Sequence, residues 1–251
     1  MVNFVGAGSG AVDLITVRGM RLLQRADVII YAGSLVNPEL LQYAKSDCEI
    51  HNSAYMTLDD VISVIEKSEA EGKMTVRLHT GDPSIYGAIK EQMDRLDKLR
   101  IDYEICPGVS SFCAAAASLK AEYTLPGVSQ TVIITRRAGR TPVPEKESIQ
   151  SLSSHGAAMV IFLSTSMLFE LSKELTEGGY APDTPAAIVY KASWQDEKIC
   201  RCTISDLAQT AEKNGIKKTA LICVGNFLGD DYSLSKLYDN NFETEFRKAK
   251  P

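Results

Sequence analysis

Three short stretches of small residues carry groups that can hold a polar ligand closely. "VGAGSGA" (Val5 to Ala11) sets Gly6, Gly8 and Gly10 around Ser9, so that backbone amides can approach a ligand without a side chain between them. "HTGDP" (His79 to Pro83) lines up a hydroxyl, a glycine and a carboxylate, and "CPGVSSF" (Cys106 to Phe112) offers Gly108, Ser110 and Ser111. Read alone, Gly6-x-Gly8-x-x-Ala11 after an apolar run satisfies the dinucleotide fingerprint, which also needs an acidic residue at the end of the second strand to hold a ribose. That strand ends in Tyr31-Ala32-Gly33, and Asp27 precedes it at the wrong end. The dinucleotide reading therefore lacks its confirming group, and a plain structural turn competes with it. Asp82 likewise reads as a helix N-cap with Pro83 at the first helical position.

A fourth group is cationic. "TRRAGRTP" (Thr135 to Pro142) gathers Arg136, Arg137 and Arg140 in a chain whose net charge is −5. Such a set suits carboxylates, and equally a solvated loop or a subunit contact. Cys48 with His51, or Cys200 with Cys202, could begin a metal site, but no second pair at ligand spacing accompanies either, and no metal is expected. The six cysteines form no disulfide framework. With a pI near 5.4, no apolar run long enough to span a bilayer and no basic n-region, the composition predicts a cytoplasmic protein with neither nucleic acid nor membrane as partner.

The elements that must position these loops follow from periodicity. Apolar runs at residues 3–6, 28–31, 75–79 and 103–106 alternate with helical patterns, which argues for parallel βαβ units. Thr57-Leu58-Asp59-Asp60 has helix-start spacing, followed by Val61, Ile62 and Ile65 on one face and Gly72 near the stop. A helix beginning near Ser84 is expected to place Ile85, Ile89, Met93 and Leu96 on one face, and Asn37-Pro38 to start another over 39–44. The pattern restarts after Leu125-Pro126-Gly127, with strands expected at 131–135, 159–164, 186–191, 198–203 and 220–224. The chain is accordingly divided into α/β domains over 1–125 and 126–251. "KICRCTI" alternates as a half-exposed strand does, which predicts an antiparallel member of the second sheet. The three small-residue loops then lie at the carboxyl ends of strands, where open α/β sheets collect ligands.

In this order and along the whole chain, "VGAGSGAVDLITVRG", "RLHTGDPSIYG", "CPGVSSFCAAAASL", "MVIFLSTS" and "PAAIVYKASWQDEKI" resemble the tetrapyrrole methyltransferases. The resemblance implies two α/β domains, a mainly parallel N-terminal sheet and a mixed C-terminal one, with the active site in the interdomain cleft. It also implies S-adenosylmethionine as cofactor, a tetrapyrrole as substrate and a homodimer. By motif position it implies cofactor contacts at Ser9, Thr80, Gly81, Asp82, Ile85, Ser110, Ser111, Leu163 and Ala192, and it names no catalytic base. Substrate-side candidates are Tyr31, Ser34 and Asn37 of "YAGSLVN", with Arg136 and Arg137. "IIYAGSLVNPELL" resembles the branch of the family that methylates C11 of precorrin-4 or cobalt-precorrin-4 on the way to cobalamin. Other ring positions (C17, C20 or uroporphyrinogen III) and a non-catalytic adenosyl-ligand binder stay open, although Tyr31-Ala32 departs from the Tyr-Asp pair usual for uroporphyrinogen III. Ser9 and Ala11 stand where the family commonly has proline and aspartate.

Overall fold

The computed structural model describes residues 1–33 and 35–249, which fall into two compact units: Met1–Ser118 with Lys191–Lys198, and Leu119–Tyr190 with Ile199–Pro251. The first unit holds a five-stranded sheet of β1 (Val2–Gly6), β2 (Val28–Tyr31), β3 (Glu49–Asn52), β4 (Thr75–His79) and β5 (Tyr103–Cys106), in the order β3-β2-β4-β1-β5. β1 pairs with β4 and β5, and β2 with β3 and β4, all in parallel. Its β1, β2 and β4 read as near-continuous apolar runs because both faces are covered. Val5, Ile29, Val76 and Leu78 fill one face with Leu23 of α1 (Val17–Arg25). Val2, Phe4, Val28 and Ile30 fill the other with Ile62 and Ile65 of α2 (Leu58–Ala70) and Leu96 of α3 (Ile89–Leu99). α2 starts where expected, on a reciprocal capping box between Thr57 and Asp60.

The expected helix start near Ser84 is corrected. Tyr86 and Ala88 hold φ at +55° and +49°, the left-handed region in which a helix cannot propagate, and α3 begins only at Ile89. Asp82 caps no helix, and Ile85 lies outside the face made by Ile89, Met93 and Leu96. The segment after Asn37 is a 3₁₀ turn, Pro38–Tyr43, which Asn37 caps by accepting from the Glu39 amide. β3, polar and half-exposed, carries no apolar periodicity that would predict it.

In the second unit, β6 (Val132–Arg136), β7 (Ala158–Phe162), β8 (Pro185–Tyr190), β9 (Lys198–Thr203) and β10 (Ala220–Val224) form a mixed sheet in the order β6-β7-β10-β8-β9. β6 and β7 are parallel, whereas β10 runs antiparallel to both of its neighbours. β9 sits at the edge and alternates as expected, with Ile199 and Arg201 exposed and Cys200 and Cys202 half-buried. α4 (Ser111–Leu119) follows β5; in the second unit Met159, Ile161, Ile188, Ile222 and Val224 pack one face against Ile149 of α5 (Ile149–Ser153), Leu171 and Leu175 of α6 (Leu168–Glu177) and Leu207 of α7 (Leu207–Lys213).

Candidate functional site

Parallel register brings the small-residue loops of the first unit to one edge. Gly6 aligns with His79 across β1 and β4, and Val5 with Cys106 across β1 and β5, so all three strands end together. β1 and β4 are neighbours whose chains leave in opposite directions, β1 toward β2 and β4 toward β5. This is the topological switch point at which open α/β sheets bind ligands.

The loops meet through backbone. The Ala7 amide donates to the His79 carbonyl at 2.7 Å, and Gly8 and Gly81 exchange amide-to-carbonyl bonds of 3.3 and 2.8 Å. The Gly108 amide donates to Asp82 Oδ2 at 2.9 Å. A Cβ on Gly108 would stand 2.1 Å from the Gly81 carbonyl oxygen, and one on Gly6 would stand 2.5 Å from Gly108 Cα, so no larger residue fits at either position. Asp82 is consumed by this architecture. Its Oδ1 accepts from the Ser84 amide and hydroxyl while Oδ2 takes Gly108. Partial burial raises its pKa, but these hydrogen bonds outweigh that and hold the carboxyl below its ordinary value.

Open hydrogen-bonding capacity lies beside Gly81. Ser110 Oγ stands 3.9 Å, and the Ser111 amide 3.5 Å, from where a Gly81 Cβ would be, at the start of α4 (Ser111–Leu119). Among the described residues the Ser110 and Ser111 hydroxyls have no hydrogen-bond partner. The Thr80 hydroxyl donates to the Leu35 carbonyl and keeps its lone pairs. Ile85 is half-buried, with its amide on the Asp82 carbonyl. Beneath the loop His79 is only 4% exposed, and its Nε2 is unpaired among the described residues. Burial, and then the charge of Arg77, push its pKa down to about 3, so the ring is neutral.

The far side of the first loop is held by Lys191–Lys198. Ser193 Oγ pairs with Ser9 Oγ at 2.9 Å and accepts from the Ala11 amide at 3.1 Å, and Trp194 Nε1 donates to the Ser9 carbonyl at 3.2 Å. Ala192, one residue earlier, is buried. Asn37 Nδ2 reaches the Gly10 carbonyl at 2.9 Å from a third segment. The sequence reading singled out neither Ser193 nor Trp194. The signal available was that Trp194 is the chain's one tryptophan.

All the implied cofactor contacts except Leu163 thus belong to the first unit, and the structure gathers them at one sheet edge. Leu163 belongs to the second unit just beyond β7, where it is 62% exposed with φ at +52°, an unfavourable pair of conditions for a leucine. Tyr31 closes β2 and its carbonyl accepts from Ser53 Oγ. Ser34 lies outside the described residues. Arg136 spends its guanidinium on the carbonyls of Arg137, Thr141 and Pro142, and Arg137 forms a two-nitrogen contact with Glu174 Oε1 at 3.0 and 2.7 Å. Both shape the loop from within, and Arg140 is the exposed arginine it presents. Cys48 and His51 each contact Glu49, and the described residues contain no cluster of three metal-ligating side chains.

The chain is similar to known proteins along most of its length. The family model described as tetrapyrrole (corrin/porphyrin) methylases matches residues 1–208. A cobalt-precorrin-4 C(11)-methyltransferase of Methanocaldococcus jannaschii is 60% identical over 249 residues, covering 99% of this chain and 96% of that protein. A precorrin-4 C(11)-methyltransferase of a Sinorhizobium species is 44% identical, covering 98% of each. The X-ray structure of a cobalamin biosynthetic enzyme, a cobalt-precorrin-4 methyltransferase, superposes with a TM-score of 0.89 at 47% identity, covering 91% of this chain and 96% of that one.

Proposed function

The chain belongs to the tetrapyrrole (corrin/porphyrin) methylases, and from that premise we propose that it transfers a methyl group from S-adenosylmethionine to C11 of precorrin-4 or cobalt-precorrin-4, giving the matching precorrin-5 for cobalamin. The observation that carries the reading is 60% identity along almost the full length to a relative bearing that activity in its name.

The loops fit the cofactor chemically. Residues 5–11, 80–85 and 108–111 contain no lysine or arginine, which would repel a sulfonium, and they offer hydroxyls and amides suited to ribose and to a carboxylate end. The bound cofactor supplies an electrophilic methyl group. The residues that would hold it are Thr80, Gly81, Ser110 and Ser111 through hydrogen bonds, Ile85, Leu163 and Ala192 as apolar walls, and Ser9 and Asp82 through the loop shapes they fix. Because the interlocked backbone of Gly6, Gly81 and Gly108 leaves little room to move, these donors are preorganised, and alignment can supply much of the acceleration. In-line displacement at a methyl needs no protein nucleophile, and we assign none. On the substrate side we assign Tyr31, Ser34 and Asn37, with Arg136 and Arg137 building the loop that offers Arg140 to the macrocycle's carboxylates. The reading carries with it a cytoplasmic homodimer, which sedimentation tests.

The deciding experiment incubates the protein with methyl-labelled cofactor and either precorrin-4 or cobalt-precorrin-4. Label at C11 is expected. A methyl group at another ring carbon would reassign the regiochemistry, and binding without turnover of either substrate would leave an adenosyl-ligand binder.

A further inference from the structure

We propose that Ser193 and Trp194 form a latch that fixes the Ser9–Ala11 loop in its ligand-holding shape, making Trp194 a positioning residue for the adenosyl cofactor. This rests on the reading that the loop serves such a cofactor. Four polar groups of the loop are satisfied by residues outside it. Ser9 Oγ and the Ala11 amide are bound to Ser193 Oγ, the Ser9 carbonyl accepts from Trp194 Nε1, and the Gly10 carbonyl accepts from Asn37. A Cβ on Gly10 would stand 2.1 Å from Trp194 Cδ1, so the indole occupies the space a side chain there would need. The loop cannot relax toward Trp194, and it cannot move away without breaking these bonds.

The latch is itself held under tension. Lys191 and Ser193 have φ of +48° and +68°, conformations that non-glycine residues keep only where their surroundings enforce them. The enforcement is visible. The Trp194 amide returns to the Lys191 carbonyl at 3.0 Å, and Lys191 Nζ lies 5.1 Å from the indole centroid while bonding Asp196 at 2.6 Å. Glu197 Oε2 accepts from the Ser193 amide and from Ser118 Oγ of α4, both at 2.6 Å. α4 also carries Ser111 at its start, so one short helix ties the latch to the third loop. Strain concentrated in a turn that contacts a ligand loop is the pattern expected of preorganisation, since a turn serving only as a connector between β8 and β9 has no need of it.

The test uses the full chain and two mild substitutions. Trp194→Phe keeps an aromatic ring but removes the donor, and Ser193→Ala removes the hydroxyl shared by Ser9 and Ala11. Calorimetric titration with S-adenosylhomocysteine should show Kd raised about tenfold in Trp194→Phe, which loses one hydrogen bond, and at least as much in Ser193→Ala, which loses two. In turnover the loss should fall on the KM for the cofactor rather than on kcat, a split that a merely structural defect would not produce. Amide hydrogen exchange at Ala11 should accelerate in Ser193→Ala even without ligand. As the only tryptophan, Trp194 should change its emission when the wild type is titrated with the homocysteine analogue. Wild-type protein that binds normally, together with variants that bind as tightly and exchange Ala11 as slowly, overturns the latch alone. Wild-type protein that fails to bind overturns the cofactor reading, and unchanged Ala11 exchange in Ser193→Ala then refutes the latch separately.

Discussion

His79 makes the protein sensitive to acid through a single ring. It ends β4 with its side chain buried, its ring centroid 6.0 Å from that of Phe4, and its carbonyl bound by the Ala7 amide. Desolvation, reinforced by the buried Arg77 cation, lowers its pKa from 6.5 to about 3. Because the folded value lies below the unfolded one, the unfolded chain binds a proton that the folded chain refuses whenever the pH lies between them. The contribution to stability is therefore intact above about 6.5 and drains away as pH falls toward 3. At pH 5 the gap from 6.5 is 1.5 pH units, which at about 1.4 kcal/mol per unit costs about 2 kcal/mol. Urea unfolding of wild type and His79→Phe at pH 7 and at pH 5 reads the difference directly. The wild type should lose about 2 kcal/mol more than the variant across that step, because phenylalanine takes no proton. Equal losses, or a His79 ring resonance that titrates near pH 6, would refute the argument. Because the folded ring stays neutral down to about pH 3, S-adenosylhomocysteine affinity should hold between pH 7 and pH 5 in the wild type and the variant alike.

Gly108→Ala drives a methyl group into the Gly81 carbonyl and should cost about 3 kcal/mol or more, abolishing S-adenosylhomocysteine binding in the folded fraction; near-normal affinity by calorimetry would show that the loops have room to part. Arg137→Ala should destabilise the second unit by about 1 kcal/mol, with Glu174→Ala costing the same and the double variant little more; a raised tetrapyrrole KM at unchanged stability would instead return Arg137 to direct substrate contact. Leu163→Gly relieves a left-handed backbone at an exposed site, so the thermal midpoint should hold or rise, by up to about 1 kcal/mol in stability, while cofactor affinity falls; unchanged affinity would remove Leu163 from the site.

Much of this arrangement can be read from linear order because local chemistry and tertiary packing agree. "VNFVG" and "TVRLH" become β1 and β4 since both faces of the parallel sheet are buried, and Thr57 with Asp60 announces α2 through a cap formed within one turn. The family motifs place the three loops for the same reason, each following a strand whose end is set by register. Other features have no local signature. β3, "EIHN", is polar and half-exposed at an edge, so neither apolar periodicity nor β-propensity marks it. Helix propensity after Pro83 is overruled by left-handed Tyr86 and Ala88, which nothing in their side chains foretells. Arg136 and Arg137 look free as letters and turn out to be internal struts, because loop carbonyls and Glu174 reach them only in three dimensions. The return of Lys191–Lys198 to the first unit, and with it the roles of Ser193 and Trp194, depends wholly on long-range contact.

The placement of β10 governs when the second unit can exist. This strand is the last of its sheet to leave the ribosome, yet it occupies the middle, bridging β7 and β8. A nascent chain halted before Ala220 leaves β7 and β8 with facing edges unzipped, two ribbons without the rung that joins them. Synthesis should therefore pass through a stage in which the first sheet is complete while the second remains open to protease, closing only when its keystone arrives.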